Sequence, residues 1–206
     1  QLEAGEAEGS GWLAGPYVMA RLAPSLYAEV RAAWGTSDNR VSPLDGMVDA
    51  FDTSRSLYSG SLVGDLDLGP ATRFRPELTL RYLSENQKAY TDSLGVAIPG
   101  QSVEQGDISF RPRISHTVAL DDDWSIRPFV EVEGIYTFGT DPDAVLANLL
   151  PANYAAVVDD LRARVEGGFD LFGNQTFRAS LSGFYDGIGA DRFSDRGVRI
   201  GISFGF

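Results

Sequence analysis

The chain contains no cysteine and a single histidine, His116. It is short of positive charge, with 17 Lys and Arg against 29 Asp and Glu, and its formal net charge is −12. No run of about 18 apolar residues occurs anywhere in it, although 43% of its residues are hydrophobic. Each shortage excludes something. Without cysteine there is no disulfide framework, which agrees with, but only weakly supports, passage through an oxidising compartment. With so little clustered Lys and Arg the chain is not built to hold nucleic-acid phosphates, so no nucleic-acid partner is expected. Without a long apolar run there is no transmembrane helix, but a transmembrane barrel survives this test because its strands alternate and are only moderately hydrophobic. The first residues, QLEAGEAEGS, are acidic and polar and are not a signal peptide.

What the chain does have is alternation. At its end, Val198, Ile200, Ile202, Phe204 and Phe206 are apolar, whereas Arg199, Gly201, Ser203 and Gly205 are charged, small or polar. Successive side chains of a strand point to opposite faces, so one face of this segment is wholly apolar. A soluble edge strand blunts such a face with charge or proline; this one does not. The final strand of a soluble sandwich would show the same alternation, so the decision rests on the rest of the chain.

Alternating segments recur at 11–22, 26–34, 57–68, 72–83, 107–120, 124–138, 161–171 and 177–185, which makes nine strands with the last. They run to about 9–15 residues, long enough to cross a bilayer at barrel tilt. The connections alternate strictly in length, about 3, 20, 3, 23, 3, 22, 4 and 11 residues, where hairpin loops ordinarily have about 2–5. All short turns therefore fall at one end of the sheet and all long loops at the other. Outer-membrane barrels have short periplasmic turns and long extracellular loops, and a soluble sandwich has no reason to sort its loops this way. The expectation is an all-β, antiparallel transmembrane β-barrel, with 1–10 as an acidic polar extracellular loop remnant and 11–206 as the barrel. The loop at about 139–160, with DAVLANLL and ANYAAVV, is expected to hold one or two short helical turns. Pro16, Pro76, Pro112 and Pro128 lie inside strands on the outward parity, and Pro16 and Pro112, nearer mid-strand, are expected to mark bulges.

Aromatic residues cluster at both strand ends. Trp12, Trp34, Tyr58, Tyr82, Tyr136, Phe138 and Tyr185 fall toward the long loops, and Phe74, Trp124, Phe169, Phe177, Phe204 and Phe206 toward the short turns. Two girdles at two interfaces are expected of a barrel. The inward parity collects charge of both signs: Glu29, Arg31, Asp65, Arg73, Arg75, Glu77, Arg81, Arg111, Arg113, Arg127, Glu131, Glu133, Arg162, Arg164, Glu166, Asp170, Arg178 and Arg199. Mixed charges keep a lumen hydrated and pair across strands, whereas a selective filter is built from a ring of one sign. Catalysis finds no footing. His116 is on the outward parity, and its same-face neighbours along the strand, Ile114 and Val118, offer no hydroxyl nucleophile. No metal-ligand cluster and no phosphate-binding glycine loop occur, so no cofactor is expected, and the Asp-rich stretches SDN, DPD and ADRFSD lack ordered Ca²⁺-ligand spacing.

The order of phrases GWLAGPYVMARL, LYAEVRAAWGTSDN, LYSGSLVGDLDLG, TRFRPELTLRYLSENQKAYTDS, SIRPFVEVEGIYTF and GVRIGISFGF resembles the C-terminal translocator barrel of autotransporters (type V secretion) across residues 11–206. The resemblance implies a barrel of about twelve strands, of which these are the fourth to the twelfth, the first three strands and a pore-threading linker helix being missing. It implies a non-enzymatic protein of the Gram-negative outer membrane that anchors and helps export an N-terminal passenger. Its partners are then outer-membrane lipid, the passenger in cis and the barrel-assembly machinery, with Ile202, Phe204 and Phe206 as the C-terminal assembly signal. A small stand-alone pore or adhesion barrel is the alternative reading.

Overall fold

The computed structural model describes residues 6–42, 47–139, 161–173, 176–190 and 194–205. Among these residues every regular element is a strand. In chain order they are β1 (Glu6–Ala14), β2 (Tyr17–Ala23), β3 (Leu26–Ser42), β4 (Asp49–Gly64), β5 (Leu66–Asp67), β6 (Thr72–Gln87), β7 (Tyr90–Thr91), β8 (Ala97–Ile98), β9 (Gln101–His116), β10 (Val118–Ala119), β11 (Trp124–Phe138), β12 (Leu161–Gly173), β13 (Phe177–Ile188) and β14 (Asp195–Phe204). Nearest neighbours in sequence pair throughout, all antiparallel, in the order β1–β3–β4–β6–β9–β11–β12–β13–β14. The short pieces β2, β5 and β10 extend β1, β4 and β9 against the same partners. Nine long strands result, joined as an up-and-down meander.

The register shows where prolines act. On either side of Gly15–Pro16 the pairs Ala14↔Trp34 and Tyr17↔Arg31 keep one register, so Pro16 removes a hydrogen bond without inserting a bulge. Its carbonyl still accepts the N–H of Ala32 at 3.1 Å. Pro112 faces Pro76 directly, and again the register holds. The pairing of β9 with β11 lapses only between Arg113 and Phe110, and that of β4–β5 with β6 only between Glu77 and Phe74. Each of the two prolines thus withholds its missing N–H from the strand on its other side. The irregular steps in register lie elsewhere, at Arg21/Ala23 and at Ala163/Arg164.

The long-loop side is built differently from the sequence expectation. Strand β3 runs for 17 residues and β4, β6 and β9 for 16 each. Much of the polar sequence assigned to loops is paired strand, including the SDN stretch (Ser37–Asn39) within β3. Strand β1 likewise begins at Glu6, inside the stretch taken as loop remnant, with Glu6 opposite Ser42. The second long connection contains a small hairpin, β7–β8, whose turn places Gly95 at φ 82°, a conformation suited to glycine. Tyr90 of this hairpin stacks on Phe51 with ring centroids 5.3 Å apart, and Asp49 Oδ1 accepts the N–H of Ser93 at 2.7 Å. Burial, with help from Asp49 and Asp92, pushes the Tyr90 phenol above its usual range. The helical turns expected at 139–160 fall, from residue 140 on, outside the described residues, as does Phe206.

The outward face is an exposed apolar belt: Val18, Val30, Leu62, Leu80, Phe110, Val130, Leu181, Val198 and Ile200 all stand open to the surroundings. Only Ala33 and Ile135 are buried hydrophobic residues among those described. A soluble domain of this length hides a large apolar core; this sheet turns its apolar residues out instead. Trp34 and Tyr58 meet edge to face at 5.9 Å, and Trp34 Nε1 donates to the Tyr58 hydroxyl at 2.9 Å. At the short-turn end Trp124, Phe177 and Phe204 form a row with centroids 5.5 and 5.4 Å apart. Trp124 lies across Gly173, where an added Cβ would come within 2.6 Å of the indole. The turn before β11 is tied by Asp121, whose Oδ1 accepts the N–H groups of Asp123 and Trp124 at 2.9 and 2.7 Å.

Candidate functional site: the inward wall of the sheet

The inward residues of β11–β14 meet because the strands pair in register. Glu131 lies opposite both Arg113 and Glu166, and Arg127 opposite Asp170. Asp170 is 2% exposed and is the hub. Its Oδ2 is 3.0 Å from Arg127 Nη2 and 3.8 Å from Arg113 Nη2, and its Oδ1 is 3.0 Å from Arg178 Nη2. Two pleat repeats away on β12, Glu166 Oε2 is 3.0 Å from Arg164 Nη2 and 2.8 Å from Arg199 Nη1, while its Oε1 accepts the Ser182 hydroxyl at 2.8 Å. Charged hydrogen bonds of this length are the strong kind.

Each carboxylate also organises an aromatic clamp. Arg164 and Arg199, both held by Glu166, lie over the Phe184 ring at 4.2 and 4.9 Å. Arg127 and Arg178, both held by Asp170, lie over Phe172 at 4.7 and 5.5 Å. Arg113 sits on Phe129 at 3.6 Å. Such contacts contribute about 0.5–1 kcal/mol each where water has access. Phe184 falls on the inward alternation of its strand; Phe172 sits just past the alternating segment 161–171, in the connection to 177–185, and Phe129 sits between the inward Arg127 and Glu131. Their roles were missed because aromatics in alternating strands read as lipid-facing, and the legible signal was their place on the charged parity.

Toward β6 the wall continues with Arg111 Nη2 to Glu77 Oε1 at 2.8 Å and contacts of 4.0 and 3.9 Å from Arg111 and Arg113 to Glu131. Arg75, Glu77, Arg111, Arg113, Glu131, Arg164, Glu166 and Arg199 line one cavity of about 290 Å³. Arg162 pairs with Asp186 at 3.3 Å, Arg81 with Asp107 at 2.9 Å, and Arg73 with Asp65 and Asp67 at 3.4 Å. Among the described residues Glu29, Arg31, Arg75 and Glu133 make no salt bridge; Glu29 borders, with Arg75, a second cavity of about 300 Å³. Ile202 and Phe204 face outward at the end of β14, exposed, with Phe204 against Phe177.

His116 has a neighbour that its own strand does not supply. Thr72, opposite it on β6, places Oγ1 at 2.8 Å from His116 Nδ1. A hydroxyl is therefore within reach. Among the described residues no carboxylate bonds the other ring nitrogen.

The sequence matches the family model described as the autotransporter beta-domain over residues 1–186. The chain belongs to the autotransporter β-domain family. Its sheet is thus that of an outer-membrane translocator barrel, all-β and antiparallel. Among solved structures, this β-domain is similar to the β domain of the Bordetella autotransporter BrkA, at 16% identity and TM-score 0.60, covering 98% of this chain and 74% of that one. It covers 98% of itself and 97% of the NanC porin at 12% identity and TM-score 0.38, a likeness too loose to bear on the fold. Among curated proteins no sequence match was found.

Proposed function

We propose that this autotransporter β-domain sits in the outer membrane of a Gram-negative cell, where it anchors and helps export an N-terminal passenger without catalysing a reaction. The observation that carries the reading is the inversion of the sheet: an apolar belt outside and a charged, ion-paired wall inside, on a chain of this family. Outer-membrane lipid covers the belt, the passenger in cis is the cargo, and the barrel-assembly machinery engages Ile202, Phe204 and Phe206. Among the described residues β1 and β2 pair only with β3, and β14 only with β13. Open edges facing lipid cost several kcal/mol per unpaired backbone group. The first and last long strands run in the same direction, so an even, antiparallel barrel needs an odd number of further strands, three by family resemblance.

Two measurements test this. In intact cells an impermeant thiol reagent should label Thr91→Cys, at the β7–β8 hairpin, and spare Asp122→Cys, in a short turn; the reverse pattern would overturn the orientation. In the complete gene product, deleting 198–206 should abolish protease-accessible passenger at the cell surface. Undiminished surface passenger would refute the translocator reading.

A further inference from the structure

The outward face of β12–β14 carries an open groove of about 570 Å³ whose lining includes Val165, Gly167, Gly183, Tyr185, Arg196 and Val198. The register makes it continuous. Gly183 lies opposite Gly167 on one side and Val198 on the other, and Tyr185 lies opposite Val165 and Arg196. Packing does not demand the two glycines. A Cβ at Gly167 would meet only the Phe129 carbonyl oxygen, and one at Gly183 only that of Gly197, each at 3.8 Å. Neither glycine has a positive φ. Gly168, by contrast, is pressed against the Leu181 carbonyl. The floor of the groove is thus left open toward lipid. At its long-loop end stands Arg196, exposed and on the outward parity of β14. Among the described residues it makes no salt bridge. Asp186 and Asp195, which face each other across β13 and β14, are on the inward parity, and Asp186 is held there by Arg162 at 3.3 Å. A second outward groove, at the short-turn end, is lined by Leu26, Leu62, Leu78 and Phe110 among others and holds no charged residue.

We propose that the β12–β14 groove binds a phosphate-bearing lipid of the outer leaflet, with one acyl chain lying along Gly167 and Gly183 and the phosphate meeting Arg196. The inference rests on the barrel reading above, which puts the long-loop end at the outer surface. Charge complementarity selects the occupant. A guanidinium without a carboxylate partner, at the rim of an apolar belt, offers a planar pair of N–H donors to a phosphate. Tyr185 beside it suits the level of lipid headgroups. A free phosphate would leave the apolar floor uncovered, whereas a lipid satisfies the charge and the groove together.

The test uses the full-length protein, purified from outer membranes into detergent, delipidated and checked for heat-modifiable gel mobility. It is titrated, with native mass spectrometry as the readout, with diphosphoryl lipid A or with the same lipid after removal of its phosphates. The phosphorylated lipid should bind about fivefold more tightly, as expected of one basic residue at a membrane surface. Arg196→Gln should abolish that preference. Gly183→Leu, which fills the groove, should weaken the binding of both lipids, and Arg75→Gln, on the inward wall, should leave the preference as in the unaltered protein. A heat-modifiable barrel that binds the two lipids equally, keeps its preference in Arg196→Gln, or binds both undiminished in Gly183→Leu would overturn the lipid site alone. Failure to form a heat-modifiable barrel would overturn the barrel reading and this inference with it.

Discussion

Two sectors of the same sheet, β11–β14 and β3–β6, share a backbone plan and an apolar outer face but differ inside. In β11–β14 the inward side chains are large and interlocked: Asp170 and Glu166 are 2% and 9% exposed, wrapped by arginines that rest on phenylalanine rings. In β3–β6 the inward side chains include Ala33, Ser37, Thr53, Ser59, Ser61 and Thr79. The closest side-chain contact there is the Ser37–Thr53 hydroxyl pair at 2.7 Å, and Arg73 and Arg75 are exposed. Hydrogen bonding of the backbone holds both sectors together. The second sector has scattered inward contacts such as Ser37–Thr53 and Arg55–Glu85, whereas the first gathers three arginines on one buried carboxylate, so it should resist perturbation of the pair network least.

The comparison is broken most directly at Asp170. Asp170→Asn leaves three guanidinium groups facing a neutral amide, and removing one partner of a buried ionic network costs about 3–5 kcal/mol. Because the Arg178 partner is half exposed, the lower end of that range is expected, measured as a drop in the denaturant midpoint of the barrel in vesicles. An unchanged midpoint would show that the hub fastens nothing. Next comes the outer face of the same strand. Val165→Arg places charge toward lipid at a cost of about 2–4 kcal/mol near the midplane, whereas Ser180→Arg points into the lumen and should cost far less. Equal losses on folding into membranes would mean that the two faces are assigned wrongly.

A smaller effect is expected where an aromatic covers backbone. Gly173→Ala pushes a methyl group against Trp124, and overpacking of this kind costs about 1–3 kcal/mol. The indole emission of Trp124 should shift along with the midpoint; a neutral result would show that the ring moves aside freely. In the open sector, Ser61→Ala should change the midpoint by about 0.5 kcal/mol or less, as substitutions away from special contacts do. A loss comparable to that of Asp170→Asn would erase the distinction between the sectors.

Several features were legible in the residues alone. Period-two alternation gives strands, their outward face and the charged inward parity, because a pleated strand has no freedom to mix its two faces. Terminal aromatics and the sorting of short and long connections give the membrane and the ends of the sheet. Strand length on the long-loop side was not legible. Apolar alternation marks a strand only where its outer face is apolar, and beyond the apolar belt the pairing continues with polar side chains on both faces, Ser54 and Asp38 outward and Ser37 and Thr53 inward. Strand pairing there needs only backbone groups and a partner in register, and those leave no hydropathy signal. Nor could Thr72 beside His116 be seen from a single strand, since the two residues are brought together by the β6–β9 register.

The sequence by itself determined which face of each strand is apolar, which is charged, and how many long strands this chain contributes, because those follow from residue order along one extended chain. Only the tertiary structure decided which arginine answers to which carboxylate. Asp170 gathers Arg113, Arg127 and Arg178 from three different strands, and that convergence depends on the cross-strand register, a long-range quantity that no local pattern of residues encodes.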